Sequence, residues 1–109
     1  MPTSEAFSAA TIEAARILGG RVRVARHARG WTVAQLAERV GVAPNTLLKV
    51  EAGDPSVRLG IAFEAAVVTG VPLFDADPRR RALERAHVQE QLALLPARAH
   101  PLPEVDDDF

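Results

Sequence analysis

The chain has 109 residues, of which 48% are hydrophobic and 25% charged, the balance of a single globular domain. That length excludes a TIM barrel, which needs roughly 250 residues, and the absence of cysteine excludes disulfides and thiolate metal sites. Thirteen Lys+Arg against fourteen Asp+Glu leave a net charge of -1. No secretory leader is read at the N-terminus, and no apolar run approaches the ~18 residues of a membrane span, so a cytoplasmic protein without cofactor or membrane contact is expected.

Alanine is abundant and long alternating β-branched runs are missing, so the pattern predicts an all-α protein. Residues 1–10 form a flexible N-terminus. The first helix starts near Ser8 or Thr11 and ends at about Ala28, before Arg29-Gly30. Thr32 caps a second helix, Val33 to Val40, that Gly41 terminates. Pro44 opens a third helix, to about Glu51. Gly53-Asp54-Pro55 is a turn, and Ser56 caps a fourth helix, Val57 to Thr69, closed by Gly70. Pro72 to Asp75 reads as one short helical turn. Asp77-Pro78 opens a long helix that runs to Leu95 and ends at Pro96. The main helical domain spans 11–76 and the C-terminal helix 77–96, and residues 97–109 are expected to form an extended, disordered acidic tail.

Near-neutrality hides an uneven charge distribution. Arg16 to Arg58 holds eight bases against Glu38, Glu51 and Asp54, whereas Ala99 to Phe109 holds four acids and no Lys or Arg. A basic segment of this size can neutralise several phosphates and bind nucleic acid through counterion release, or it can be a solvated helix face.

The informative block is TVAQLAERVGVAPNTLLKVEAG, Thr32 to Gly53. Leu36, Ala37 and Val40 share one face of its first helix, and Leu47 and Val50 one face of its second. Ala37 is small where the helices cross, Gly41 permits positive φ in the turn, and Val42 plugs the corner. This is the spacing of a helix-turn-helix, whose second helix enters the major groove; a generic αα-hairpin is the other reading.

Arg16 to Phe74 resembles the Cro/repressor-type helix-turn-helix family, the XRE class. The resemblance rests on Leu18-Gly19, Val22, Arg26, Gly30-Trp31-Thr32, Leu36-Ala37, Gly41-Val42, Leu47, Val50-Glu51 and Gly53, then Pro55-Ser56, Gly70-Val71 and Leu73-Phe74. It implies a lambda-repressor-like five-helix domain, here with an additional C-terminal helix, and a structural ion pair between Arg26 and Glu51. Trp31 stands where the family usually has Leu, so it is expected in the core.

The outward face of the recognition helix is Pro44, Asn45, Leu48 and Lys49, with Thr46 near its start. Asn45 suits adenine, Lys49 guanine or phosphate, and Leu48 a thymine methyl. Thr32, Gln35 and the starts of the second and third helices suit phosphates, as do Arg29 and Arg58 beside them. The sequence departs from the family at Val33, where Gln is common, at Ala43, where a polar cap is usual, and at Leu48, where a polar residue is usual.

Residues Gly53 to Phe74 also resemble the Gly-x-Pro-x-Val-Ser-Leu-Gly run of HipB-like antitoxins, with Arg58 replacing Ser, and the end, ALLPARAHPLPEVDDDF, resembles the C-terminus of such regulators. That resemblance implies an antitoxin that neutralises a HipA-like serine/threonine kinase toxin and represses its own operon. Val105, Asp106, Asp107, Asp108 and Phe109 then form a docking peptide for a basic groove, the other reading being a solubilising tail. In the last helix Val88, Leu92 and Leu95, with Leu83 partly aligned, make a stripe that either packs on its own domain or joins a homodimer on two-fold operator DNA. His27, His87 and His100 stand in no ligand spacing, Gly19-Gly20 follows no strand, and no Ser/His/Asp arrangement is legible, so no enzyme and no metal site is expected. A stand-alone repressor and a protein-binding module with a degenerate helix-turn-helix are the alternatives to the antitoxin.

Overall fold

A computed structural model of the chain describes residues 6–96. Residues 97–109, where the acidic tail and its docking peptide are expected, lie outside the described residues, as do residues 1–5. The described residues form five α-helices and no strand: α1 (Ala9–Ala28), α2 (Val33–Val40), α3 (Pro44–Ala52), α4 (Leu59–Thr69) and α5 (Pro78–Ala93). The chain divides into two compact units, one through Leu73 and one from Phe74 on, three residues before the expected boundary at 76.

In the first unit, local chemistry sets each helix. Ser8 accepts the Thr11 N–H at 3.2 Å, so α1 begins at Ala9 and takes up residues 9 and 10, which the sequence reading gave to a flexible N-terminus. Arg26 and His27 in its last turn suit the negative end of the helix dipole. Gly41 ends α2 at φ 87°, and its N–H and that of Val42 both reach the Ala37 carbonyl; a side chain there would meet the steric cost of left-handed backbone. The core is Val22, Leu36, Ala37, Leu47, Val50, Ala65, Ala66 and Val71, contributed by all four helices and the residue after Gly70. Trp31 packs against this core half-buried.

Two local expectations are corrected. Ser56 does not cap α4: its N–H and Oγ–H both donate to Asp54 Oδ1, at 2.8 and 2.6 Å. Asp54 thereby closes an Asx turn, and α4 begins only at Leu59, after Arg58 and with no side-chain cap. Pro72 to Asp75 forms no helical turn. Phe74 stands at φ 59°, outside the right-handed helical region, and the chain runs on through an Asx turn in which Asp75 Oδ1 accepts the Asp77 N–H at 2.8 Å, before Asp77 Oδ1 caps α5 by accepting the Arg79 N–H at 2.9 Å.

In the second unit, Arg81 Nη1 donates to the carbonyls of Asp75 and Ala76, at 2.8 and 3.1 Å, and so secures the start of α5. No residue of α5 is buried; Leu83, Val88, Leu92 and Leu95 are all exposed. Among the described residues, no helix is long and apolar enough to cross a membrane.

Candidate nucleic-acid interface

The interface is built on α2, the turn Gly41 to Ala43, and α3. Leu36, Ala37, Leu47 and Val50 are buried between these helices and their neighbours, which leaves the opposite faces to solvent. On α3 the exposed positions are Pro44, Asn45, Leu48 and Lys49, at i, i+1, i+4 and i+5, so all four share one face. Thr46 is half-buried. The Leu48 side chain is 50% exposed, an apolar group in the middle of a polar face.

Thr32 and Gln35 are both exposed and bond to each other. The Gln35 N–H donates to Thr32 Oγ1 at 3.1 Å, and the Thr32 N–H donates to Gln35 Oε1 at 2.8 Å, a reciprocal capping box. With Oε1 occupied, Gln35 presents its amide N–H groups as donors, the polarity a phosphate oxygen needs. α3 starts differently. Ala43 precedes it, Pro44 occupies its first turn, and no side chain caps it. Pro44 has no N–H and the Thr46 N–H donates to the Ala43 carbonyl at 3.0 Å, so the Asn45 N–H is the first-turn donor left to solvent or to an anion.

α3 is held from its other end. Arg26 Nε donates to Glu51 Oε2 at 2.7 Å and Nη2 to Oε1 at 3.0 Å, a bidentate pair with side chains only 8% and 5% exposed. Arg26 Nη1 donates to the Trp31 carbonyl at 2.8 Å, so one guanidinium ties α1, the loop before α2, and α3. The hydrogen bonds to Glu51 raise the Arg26 pKa above its ordinary value, against the opposing effect of burial, and the guanidinium stays charged. Gly19 sets the approach of α1 to α3: a Cβ there would overlap the Val50 carbonyl oxygen and crowd that of Glu51. The sequence carries Gly19 only as part of a resemblance; its packing role needs the helix crossing to be known.

The bases of the basic segment sit on several elements and several of them have partners within the protein. Arg29 Nε donates to the Thr69 carbonyl at 2.9 Å, placing its charge at the C-terminus of α4. Arg39 stacks over the Trp31 ring at 4.2 Å and Arg29 lies 5.4 Å from it. Arg16 and Arg21 line a shallow groove on α1. Lys49, on α3, and Arg58, before α4, are exposed. The Ser56 hydroxyl, then its N–H, holds the Asp54 carboxyl below the usual carboxylate range, and the charge of Lys49 adds to this. The Asp-Pro-Ser sequence carries the signal for that turn, and the sequence reading assigned its serine to a helix cap instead.

No curated protein and no solved structure matches the chain. A family model described as a helix-turn-helix domain matches residues 17–83, more than half of the chain. With α2, the glycine turn and α3 in the order and spacing that the motif requires, the chain belongs to the helix-turn-helix domain family.

Proposed function

We propose that this protein is a sequence-specific DNA-binding repressor that acts as a homodimer on its own operator and as the antitoxin of a HipA-like kinase toxin. The observation that carries the DNA-binding part is the exposed face of α3, with Asn45, Leu48 and Lys49 above a first turn that no side chain caps. In the major groove Asn45 bonds an adenine edge, Lys49 a guanine or a phosphate, and Leu48 rests on a thymine methyl. Thr32, Gln35, Thr46 and Pro44 line the approach to the backbone, and Arg58 adds a charge beside it. Arg29 is a weaker phosphate candidate than the sequence suggests, because its Nε is engaged with Thr69.

Gel shifts on the DNA upstream of the gene test this reading. Asn45→Ala and Lys49→Ala each weaken operator binding by about 1–3 kcal/mol, roughly 5- to 150-fold. Unchanged affinity for both variants sinks the assignment. The half-exposed Leu48 and uncapped Ala43 favour a second reading, a protein-binding surface on the same helix. Binding that does not weaken with salt supports that reading, since phosphate contacts release counterions.

The antitoxin part draws support from the Gly53 to Phe74 sequence and the acidic segment Val105 to Phe109. The exposed Val88, Leu92 and Leu95 stripe supports a homodimer contact along α5. Neither part calls for a cofactor or an enzymatic step, and both place the protein in the cytoplasm. Co-expression with a neighbouring kinase-like reading frame tests the antitoxin role. A stoichiometric complex with relief of toxicity supports it, and recovery of this chain alone leaves a stand-alone repressor.

A further inference from the structure

The start of α5 carries a groove that DNA reading by α3 does not use. It is lined by Phe74, Arg81, Glu84, Arg85, His87 and Val88 and encloses about 400 Å³. Phe74 is 84% exposed and is the one non-glycine residue with positive φ, 59°, among the described residues. Left-handed backbone is unfavourable for an aromatic residue, so a ring held in solvent this way is a feature to account for. Val88 supplies a second apolar surface, half exposed. From Pro78 to Arg85 the helix carries Arg79, Arg80, Arg81 and Arg85 against one acid, Glu84.

The sequence beyond α5 has the complementary chemistry. Residues 99–109 hold Glu104, Asp106, Asp107 and Asp108 and no Lys or Arg, with Val105 and Phe109 flanking the aspartates. Ten residues separate Pro96 from Asp106, an extended reach of about 33 Å. The twelve residues of helix back from Ala93 to Arg81 cover only about 18 Å. We infer that residues 97–109 fold back along α5 of their own chain, setting Asp106 to Asp108 against the arginines and Val105 or Phe109 against Phe74 and Val88. A short tether holds the segment at an effective concentration of order millimolar, so a millimolar intrinsic affinity, from the ion pairs and the apolar contacts together, suffices for docking. The docked segment covers the α5 arginines, and a partner that offers a stronger basic groove takes it away.

Amide spectra of the 15N-labelled full-length protein at low salt provide the test, compared with the full-length variants Asp106→Asn/Asp107→Asn/Asp108→Asn and Phe109→Ser. The amides of Phe74, Arg81, Arg85 and Val88 shift in both variants, and the wild-type signals move the same way in 1 M salt, where the Debye length is about 3 Å. Arg85→Glu shifts the amides of residues 104–109 in return. Identical α5 signals in wild type and both variants overturn the inference. Differences that vanish on dilution from millimolar to micromolar protein assign the groove to the tail of a second copy and overturn docking in cis. So do α5 amides that ignore the tail variants but move with a non-cognate duplex, which makes the arginines a nucleic-acid surface. Neither operator nor toxin enters the tail comparison, so its failure is separable from failure of the proposed function.

Discussion

α2 and α3 are the two halves of one motif, 8 and 9 residues long, and they are held in opposite ways. α2 closes its own N-terminus with the Thr32–Gln35 capping box. α3 has no side-chain cap at its start and is anchored at its far end, where Glu51 meets Arg26 and the Val50 and Glu51 carbonyls lie against Gly19. With no side chain to fix its start, α3 takes its orientation from the contacts of its C-terminal half. α2 is defined by short-range chemistry and α3 by long-range contacts.

The largest test of that contrast is Glu51→Ala. It leaves the Arg26 guanidinium buried without its carboxylate, a change that typically costs about 3–5 kcal/mol. A domain of this size has about 5–15 kcal/mol in all, so the loss is a large fraction of the total and urea denaturation of the variant shows a strongly lowered midpoint. Arg26→Met/Glu51→Leu, which removes both charges, recovers most of the loss. A single variant that loses less than about 1 kcal/mol breaks the claim that α3 is held from its far end.

Gly19→Ala comes next. The neighbour that a Cβ meets is the α3 backbone, which cannot swing aside as a side chain would, and overpacking of this kind costs about 1–3 kcal/mol. Gly20→Ala is the control one residue away. A Cβ there meets nothing within 4 Å, so the variant gains about 0.5–1 kcal/mol from helix propensity. Equal effects at the two glycines, measured as denaturation midpoints, remove the close crossing from the account.

The caps give a smaller, paired effect. Thr32→Ala removes the α2 box and costs about 1 kcal/mol. Ala43→Ser supplies α3 with the cap it lacks and gains up to about 1 kcal/mol, while competing for the first-turn N–H groups. Thermal melts therefore move in opposite directions for the two variants, and operator binding by Ala43→Ser does not rise with its stability.

The same division explains what was legible in the sequence. The limits of α2 and the start of α3 are written in adjacent residues: Thr32 with Gln35, Gly41, and Pro44. The apolar spacing of Leu36, Ala37, Leu47 and Val50 marks the buried faces, and by subtraction the exposed Asn45, Leu48 and Lys49. Arg29 was harder. Its engagement with Thr69 spans forty residues, and a charge beside a candidate DNA surface looks the same in sequence whether it meets a phosphate or a helix C-terminus. Ser56 failed for the opposite reason. A serine before a helix and a serine after Asp-Pro carry competing local signals, and the Asp54 carboxylate, nearer and ionised, took both serine donors. Phe74 belongs with it: its left-handed backbone breaks the short helical turn expected there, and the aspartates after it serve an Asx turn and the cap of α5 instead.

Asp54 gives the smallest effect, and one with a definite sign. It follows Gly53 at the exit of α3, and its N–H donates to the Lys49 carbonyl at 3.0 Å. The hydrogen bonds from Ser56 favour the charged carboxylate, so its pKa is lower in the folded protein than in the unfolded chain. A group depressed in this way contributes stability that is fully present above the unfolded pKa and is lost as pH falls through the folded one. Asp54→Asn therefore lowers stability at neutral pH and flattens the acid limb, so that wild type and variant converge as the pH falls from above the unfolded pKa of Asp54 through its lower folded one. The group is exposed and solvent-screened, which keeps this contribution below that of the buried Arg26–Glu51 clamp. If Asp54→Asn instead lowers stability equally at every pH, the turn holds through its shape alone. The exit of α3 then resembles the glycine turn after α2, and the difference between the two helices narrows to the clamp and the missing cap.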